Sequence, residues 1–65
     1  MNICLNGKLT ETSAGNVGEL LHSMNLPVAS LLVEHNGLAL RRDEWPHRLL
    51  ESGDRIEIVR IDAGG

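Results

Sequence analysis

The groups that could carry chemistry in this 65-residue chain are one thiol, three imidazoles and the carboxylate that follows Gly64-Gly65. Cys4 lies in an alternating apolar segment with nothing adjacent in sequence to activate a thiol, and it reads as a small packed residue. His22, His35 and His47 are scattered, none at metal-site spacing from Cys4, so surface histidines and no metal site are expected. Ser23, Ser30 and Ser52 have no base at a readable spacing, and no phosphate-binding loop is present. The terminal glycines are different. A carboxylate next to Cα hydrogens alone can thread a narrow channel without a side-chain clash, and glycine permits backbone conformations closed to other residues. Four extended residues, Asp62, Ala63, Gly64 and Gly65, span at most about 14 Å. That reach would carry the carboxylate into another protein's active site while the folded body stays outside.

Such a carboxylate needs a body to hold it. A chain of 65 residues makes one domain, and at that size only about 60% of the unfolded surface is buried. A deep catalytic cleft with a supporting shell would be hard to fit, which argues against an independent enzyme. With 42% hydrophobic and 23% charged residues the composition is that of a folded domain rather than a disordered one. The net charge of −3 argues against nucleic acid, and the basic doublet Arg41-Arg42 is followed at once by Asp43-Glu44. A protein partner with a basic docking surface fits better. No apolar run approaches the ~20 residues needed to cross a membrane. A lone cysteine cannot form an intrachain disulfide, and Met1 leads straight into a strand pattern, so a cytoplasmic location is expected.

Met1, Ile3 and Leu5 alternate with Asn2, Cys4 and Asn6, a strand with one buried face. Asn6-Gly7 is a hairpin signal, because both positions accept positive φ, and residues 8–11 form a short polar returning strand suited to a sheet edge. Asn16 is a helix N-cap, with Glu19 placed for a capping box. Val17, Leu20, Leu21 and Met24 then make one apolar stripe on a helix from about Asn16 to Asn25. Gly18 weakens its first turn, and Asn25, Leu26 and Pro27 end it, since Pro27 disfavours helical geometry in the residue before it. Residues 31–35 are a third strand, Asn36-Gly37 a second hairpin and residues 38–40 its return. Residues 41–45 are a connection or a single helical turn stopped by Pro46, with Trp45 covering one end of the core or, as the second reading, anchoring a partner. Leu49-Leu50 is an apolar anchor, residues 51–54 a turn and residues 56–59 the last strand. One helix must cover the sheet, since nothing else can bury its apolar face. The fold class is therefore α+β, a small mixed sheet on one main helix with the first and last strands side by side at its centre. The core should hold Ile3, Leu5, Val17, Leu20, Leu21, Met24, Leu31, Val33, Leu50, Ile56 and Ile58. Cys4, Leu32 and Val59 should then share the open face of the sheet as an apolar spot.

This element order and the terminal Gly-Gly resemble the β-grasp (ubiquitin-like) sulfur carriers, in their thiamin-biosynthesis branch. Val33-Glu34-His35-Asn36-Gly37 is similar to that family's second hairpin, Arg42-Asp43-Glu44-Trp45 to its following connection, and Gly53-Asp54-Arg55-Ile56-Glu57-Ile58-Val59 to its final turn and strand. The resemblance implies a β-grasp domain over residues 1–61 and a flexible C-terminal tail over residues 62–65. It implies a carrier, not an enzyme, whose Gly65 carboxylate is adenylated and converted to a thiocarboxylate while Asp62, Ala63 and Gly64 thread into the partner. The implied partners are a ThiF-like adenylyltransferase, which consumes the ATP, the thiazole synthase ThiG as sulfur acceptor, and a sulfurtransferase or cysteine desulfurase as sulfur source. The carrier itself needs no cofactor. The face bearing Cys4, Leu32 and Val59 is implied as the docking patch. An Ala-Gly-Gly ending also occurs in the molybdopterin synthase small subunit, so a molybdopterin carrier is the alternative pathway. A ubiquitin-like interaction or conjugation module is the alternative function.

Overall fold

A computed structural model describes residues 1–61. The expected tail, with Asp62, Ala63, Gly64 and Gly65, lies outside the described residues. The elements run β1 (Asn2–Leu5), β2 (Lys8–Glu11), α1 (Val17–Ser23), β3 (Leu31–His35), β4 (Leu38–Leu40) and β5 (Arg55–Arg60). Single 3-10 segments occur at Val28–Ser30 and Arg42–His47. The strands form one mixed sheet in the order β2-β1-β5-β3-β4, with α1 across one face.

Both hairpins are set by Asn-Gly. Asn6 and Gly7 have φ of 48° and 81°, Asn36 and Gly37 of 51° and 86°, the positive values that a tight two-residue turn demands at both central positions. As expected from the element order, the first and last strands are neighbours. β1 runs parallel to β5 with Leu5 opposite Ile56, and β5 runs antiparallel to β3 from Leu31↔Arg60 to His35↔Ile56.

Asn16 Oδ1 accepts from the Glu19 N–H at 2.8 Å and caps α1. The reciprocal bond is displaced by one residue: the Glu19 carboxylate accepts from the N–H of Gly15, at 2.7 Å, rather than from Asn16. The helix stops before Pro27 can act. Asn25 takes a left-handed backbone, φ 59°, which closes the helix in the manner of an αL cap.

Ile3, Val17, Leu20, Leu21, Leu31, Val33, Leu50 and Ile56 are buried as their spacing requires, while Leu5, Met24 and Ile58 pack on the core's margin. Ala14, Leu40 and Trp45 complete it. Trp45 rides on the 42–47 segment, which contains Pro46 instead of ending at it, since proline's fixed φ suits 3-10 geometry. Gly18 has a positive use here. A Cβ at that position would lie 3.2 Å from Pro46 Cα and 3.3 Å from Pro46 N, so the residue that weakens the helix also lets the 42–47 segment close over the core. Among the described residues no helix is long and apolar enough to cross a membrane.

Candidate functional site

β5 delivers the chain to its last residues, so its anchoring determines where a C-terminal carboxylate could be presented. Two devices hold it. The Asn6 side chain bridges β1 to β5 beyond the end of their ladder: its Oδ1 accepts from Ile58 N–H at 2.7 Å and its Nδ2 donates to Ile58 O at 3.2 Å. On the other side, Ile61 N–H donates to Ser30 O at 2.6 Å, extending the β3 pairing one step past β5. Sequence reasoning identified Asn6 only as a turn residue. Its partner lies 52 residues away, and no local signal marks it.

Along β5, Ile56 and Ile58 point toward α1 while Arg55, Glu57 and Val59 alternate onto the open face. Leu32 lies directly opposite Val59, and both are more than half exposed. Together with Glu34, Gly37, Arg55 and Glu57 they line a shallow depression. Cys4 is on the same face but half-buried and opposite Arg55, four positions along β5 from Val59, or roughly 13 Å at ordinary strand rise. The structure thus brings Leu32 and Val59 together and leaves Cys4 on the adjoining strand, outside the depression.

The far end of the sheet holds a polar cluster that corrects one expectation. His35 is buried, not a surface residue, because it continues the inward alternation of Leu31 and Val33, a signal that was present in the sequence. Its Nε2 lies 2.7 Å from Asp54 Oδ2, and its Nδ1 accepts from Arg48 Nε at 3.0 Å. One arrangement satisfies both bonds: a neutral ring protonated at Nε2. Asp54 Oδ2 also accepts from the Glu51 N–H at 2.8 Å, and Asp54 Oδ1 accepts from Asn36 Nδ2 at 3.2 Å. Asn36 in turn accepts from the Arg55 N–H at 2.8 Å. Burial pushes the Asp54 carboxyl up, but the bonds from His35, the Glu51 amide and Asn36 outweigh it and hold the group below the usual carboxylate range. The cluster has no nucleophile within it. It ties the 48–54 loop to the second hairpin and to the start of β5. Among the described residues no group of three or more His, Cys, Asp or Glu is placed to hold a metal ion.

Residues 3–65 match the model of the ThiS family. The fold superposes on a crystal structure of the thiamine biosynthesis protein ThiS from Geobacter metallireducens with a TM-score of 0.85, at 30% identity and with both chains covered in full. An NMR solution structure of a thiamine biosynthesis protein from the same organism superposes with a TM-score of 0.81 at 30% identity, covering all of this chain and 88% of that one. No curated protein matches the sequence significantly.

Proposed function

The chain belongs to the ThiS family, and from that premise we propose that it is a sulfur carrier for thiamin thiazole formation whose working group is the Gly65 carboxylate. The observation that carries this reading is the extent of the family match, which runs through the β-grasp body and on through Gly64-Gly65.

The chemistry explains the division of labour. A carboxylate is a poor electrophile, because its charge repels nucleophiles and its oxygen leaves badly. Transfer of AMP from ATP to Gly65, with release of pyrophosphate, supplies a good leaving group. Attack by sulfide then expels AMP and leaves a thiocarboxylate, a soft nucleophile able to pass its sulfur on. This chain contributes the carboxylate and a presenting surface. The ATP, the sulfur source and the acceptor site belong to partners: a ThiF-like adenylyltransferase, a sulfurtransferase or cysteine desulfurase, and the thiazole synthase ThiG. In this reading the chain is not an enzyme, holds no cofactor and works in the cytoplasm. Residues 1–61 are the body and residues 62–65 the tail that threads into each partner. Leu32 and Val59 form the apolar part of the docking patch, with Cys4 at its margin.

The test is a mass measurement. Incubation with the adenylyltransferase, ATP and a sulfur donor should raise the protein's mass by the difference between sulfur and oxygen. Deleting Gly65, or adding one residue after it, should abolish the gain with no change in melting temperature. The extension moves the carboxylate by up to ~3.6 Å, and misplacement by ~1 Å can already cost on the order of a hundredfold in rate. A native protein whose mass stays constant, or an extended one that gains sulfur equally well, would refute the reading.

A further inference from the structure

On the open face, the register of β3 against β5 sets Glu34 directly opposite Glu57. Carboxylates so placed have Cβ atoms only about 4.5–5.5 Å apart, and like charges directly opposite destabilise a sheet. Among the described residues neither carboxylate has an ion-pair or hydrogen-bond partner. The nearest cation along the face is Arg55. Its Nη2 lies 3.8 Å from where a Cβ on Gly37 would stand, so its guanidinium leans over the second hairpin instead of pairing with Glu57. The next pair along the ladder in the direction of the tail is Leu32 opposite Val59. The depression therefore reads, from the tail outward, as an apolar pair, an acidic pair and then an arginine.

We propose that this face is completed by a basic side chain of the adenylating partner, an arginine or lysine seated between Glu34 and Glu57 beside an apolar residue that covers Leu32 and Val59. The inference rests on the carrier reading for the partner's identity. Charge complementarity selects the occupant: a free-state repulsion becomes a two-pronged acceptor when one cation enters. The position of the tail selects the direction. In the carrier reading the working carboxylate stands on Gly65, four residues past Ile61, and four extended residues reach at most about 14 Å. A partner that takes Gly65 into its active site must therefore sit against the Leu32–Val59 end and meet the acidic pair one step further in. The arrangement sacrifices stability of the free carrier for recognition, so the two properties should move in opposite directions when the acids are removed.

The experiment uses the full-length chain and the adenylyltransferase of the same pathway. Glu34→Gln with Glu57→Gln keeps side-chain size and removes both charges. Binding should weaken by roughly tenfold or more at low salt, and the difference should shrink toward ~1 M salt, where the screening length falls to about 3 Å. The melting temperature of the free double variant should stay level or rise. Glu57→Lys, which pairs with Glu34 inside the sheet, should raise it further and bind worst. Equal affinity of native and double variant, a loss that is independent of salt, or a fall in melting temperature on charge removal each overturns the proposal. Tail modification is scored separately by mass. A native chain that gains sulfur while the double variant binds undiminished refutes the acidic seat and leaves the carrier intact. A charge-dependent affinity with no sulfur gained by the native chain refutes the carrier and leaves the seat.

Discussion

Replacing Asp54 with Asn exchanges an acceptor for a donor at a position into which only donors point. Oδ2 takes His35 Nε2 at 2.7 Å and the Glu51 N–H at 2.8 Å, and Oδ1 takes Asn36 Nδ2 at 3.2 Å. An asparagine has one oxygen to offer. If that oxygen faces His35 and Glu51, the new amide nitrogen faces the amide nitrogen of Asn36. Asn36 cannot turn over to help, because its oxygen already accepts from Arg55 N–H. If the amide is reversed, its nitrogen meets His35, which could accept only by moving its proton to Nδ1 and so confronting Arg48 Nε. Every arrangement leaves a buried donor unsatisfied, at a cost of about 1–3 kcal/mol. A domain of this size has a net stability of only roughly 3–5 kcal/mol, and 1 kcal/mol shifts its melting temperature by about 4–8 °C. A loss of about 2 kcal/mol thus predicts a fall of about 8–16 °C at pH 7, read by thermal unfolding. The pH dependence follows from the depressed folded-state pKa. The carboxylate's stabilisation is fully present above the unfolded value of about 3.9 and is lost as pH falls through the lower folded value, since the unfolded chain takes up the proton first. The gap between native and variant should therefore narrow as pH falls toward about 3. A fall under ~2 °C at pH 7, or a gap that is the same at pH 7 and about pH 3, would refute the reasoning.

Two further substitutions probe the body that carries the tail. Leu20→Ala empties a site only 2% exposed and should cost roughly 2–5 kcal/mol, enough to unfold much of the population at 37 °C by circular dichroism; an unchanged melting temperature would show that α1 does not seal the sheet. Asn6→Gly keeps the positive φ but deletes both bonds to Ile58, so it should lose about 1–3 kcal/mol and speed amide exchange at Ile58. Native exchange at Ile58 in that variant would mean that the Asn6 bridge does not hold the end of β5.

What could be read directly from the chain was whatever depends on near neighbours. Asn6-Gly7 and Asn36-Gly37 announce their turns because the constraint, positive φ, falls on the residues themselves. The stripe Val17, Leu20, Leu21, Met24 announces a helix face because its period is local, and the cap at Asn16 lies three residues from the amide it serves. The Glu19 bond skipped by one position to Gly15, and α1 closes at Ser23 with Asn25 in the left-handed turn beyond it, within two residues of the expected end at Asn25. Such boundaries are settled by small differences in backbone geometry that residue type does not encode.

The rest was hidden for a different reason: the side chains concerned are satisfied by groups far away in sequence. Asn6 looked complete as a turn residue, yet half its work is done on Ile58. His35 looked like one of three scattered histidines, although alternation from Leu31 and Val33 had already turned it inward. What alternation could not supply was the partner that makes burial tolerable, since Asp54 and Arg48 arrive from the loop only once β5 is paired. The open face shows how far local reasoning can be carried. It correctly put Leu32 and Val59 on that face, but it treated Cys4 as their equal because facing is a period-two property and adjacency is not. Adjacency follows from register, and register here is not free. A slip of β5 by one residue against β3 would carry Ile56 and Ile58 into solvent and Glu57 into the core. The same burial that fixes the fold therefore forces Glu57 opposite Glu34, and the acidic seat is a consequence of packing that a partner can exploit.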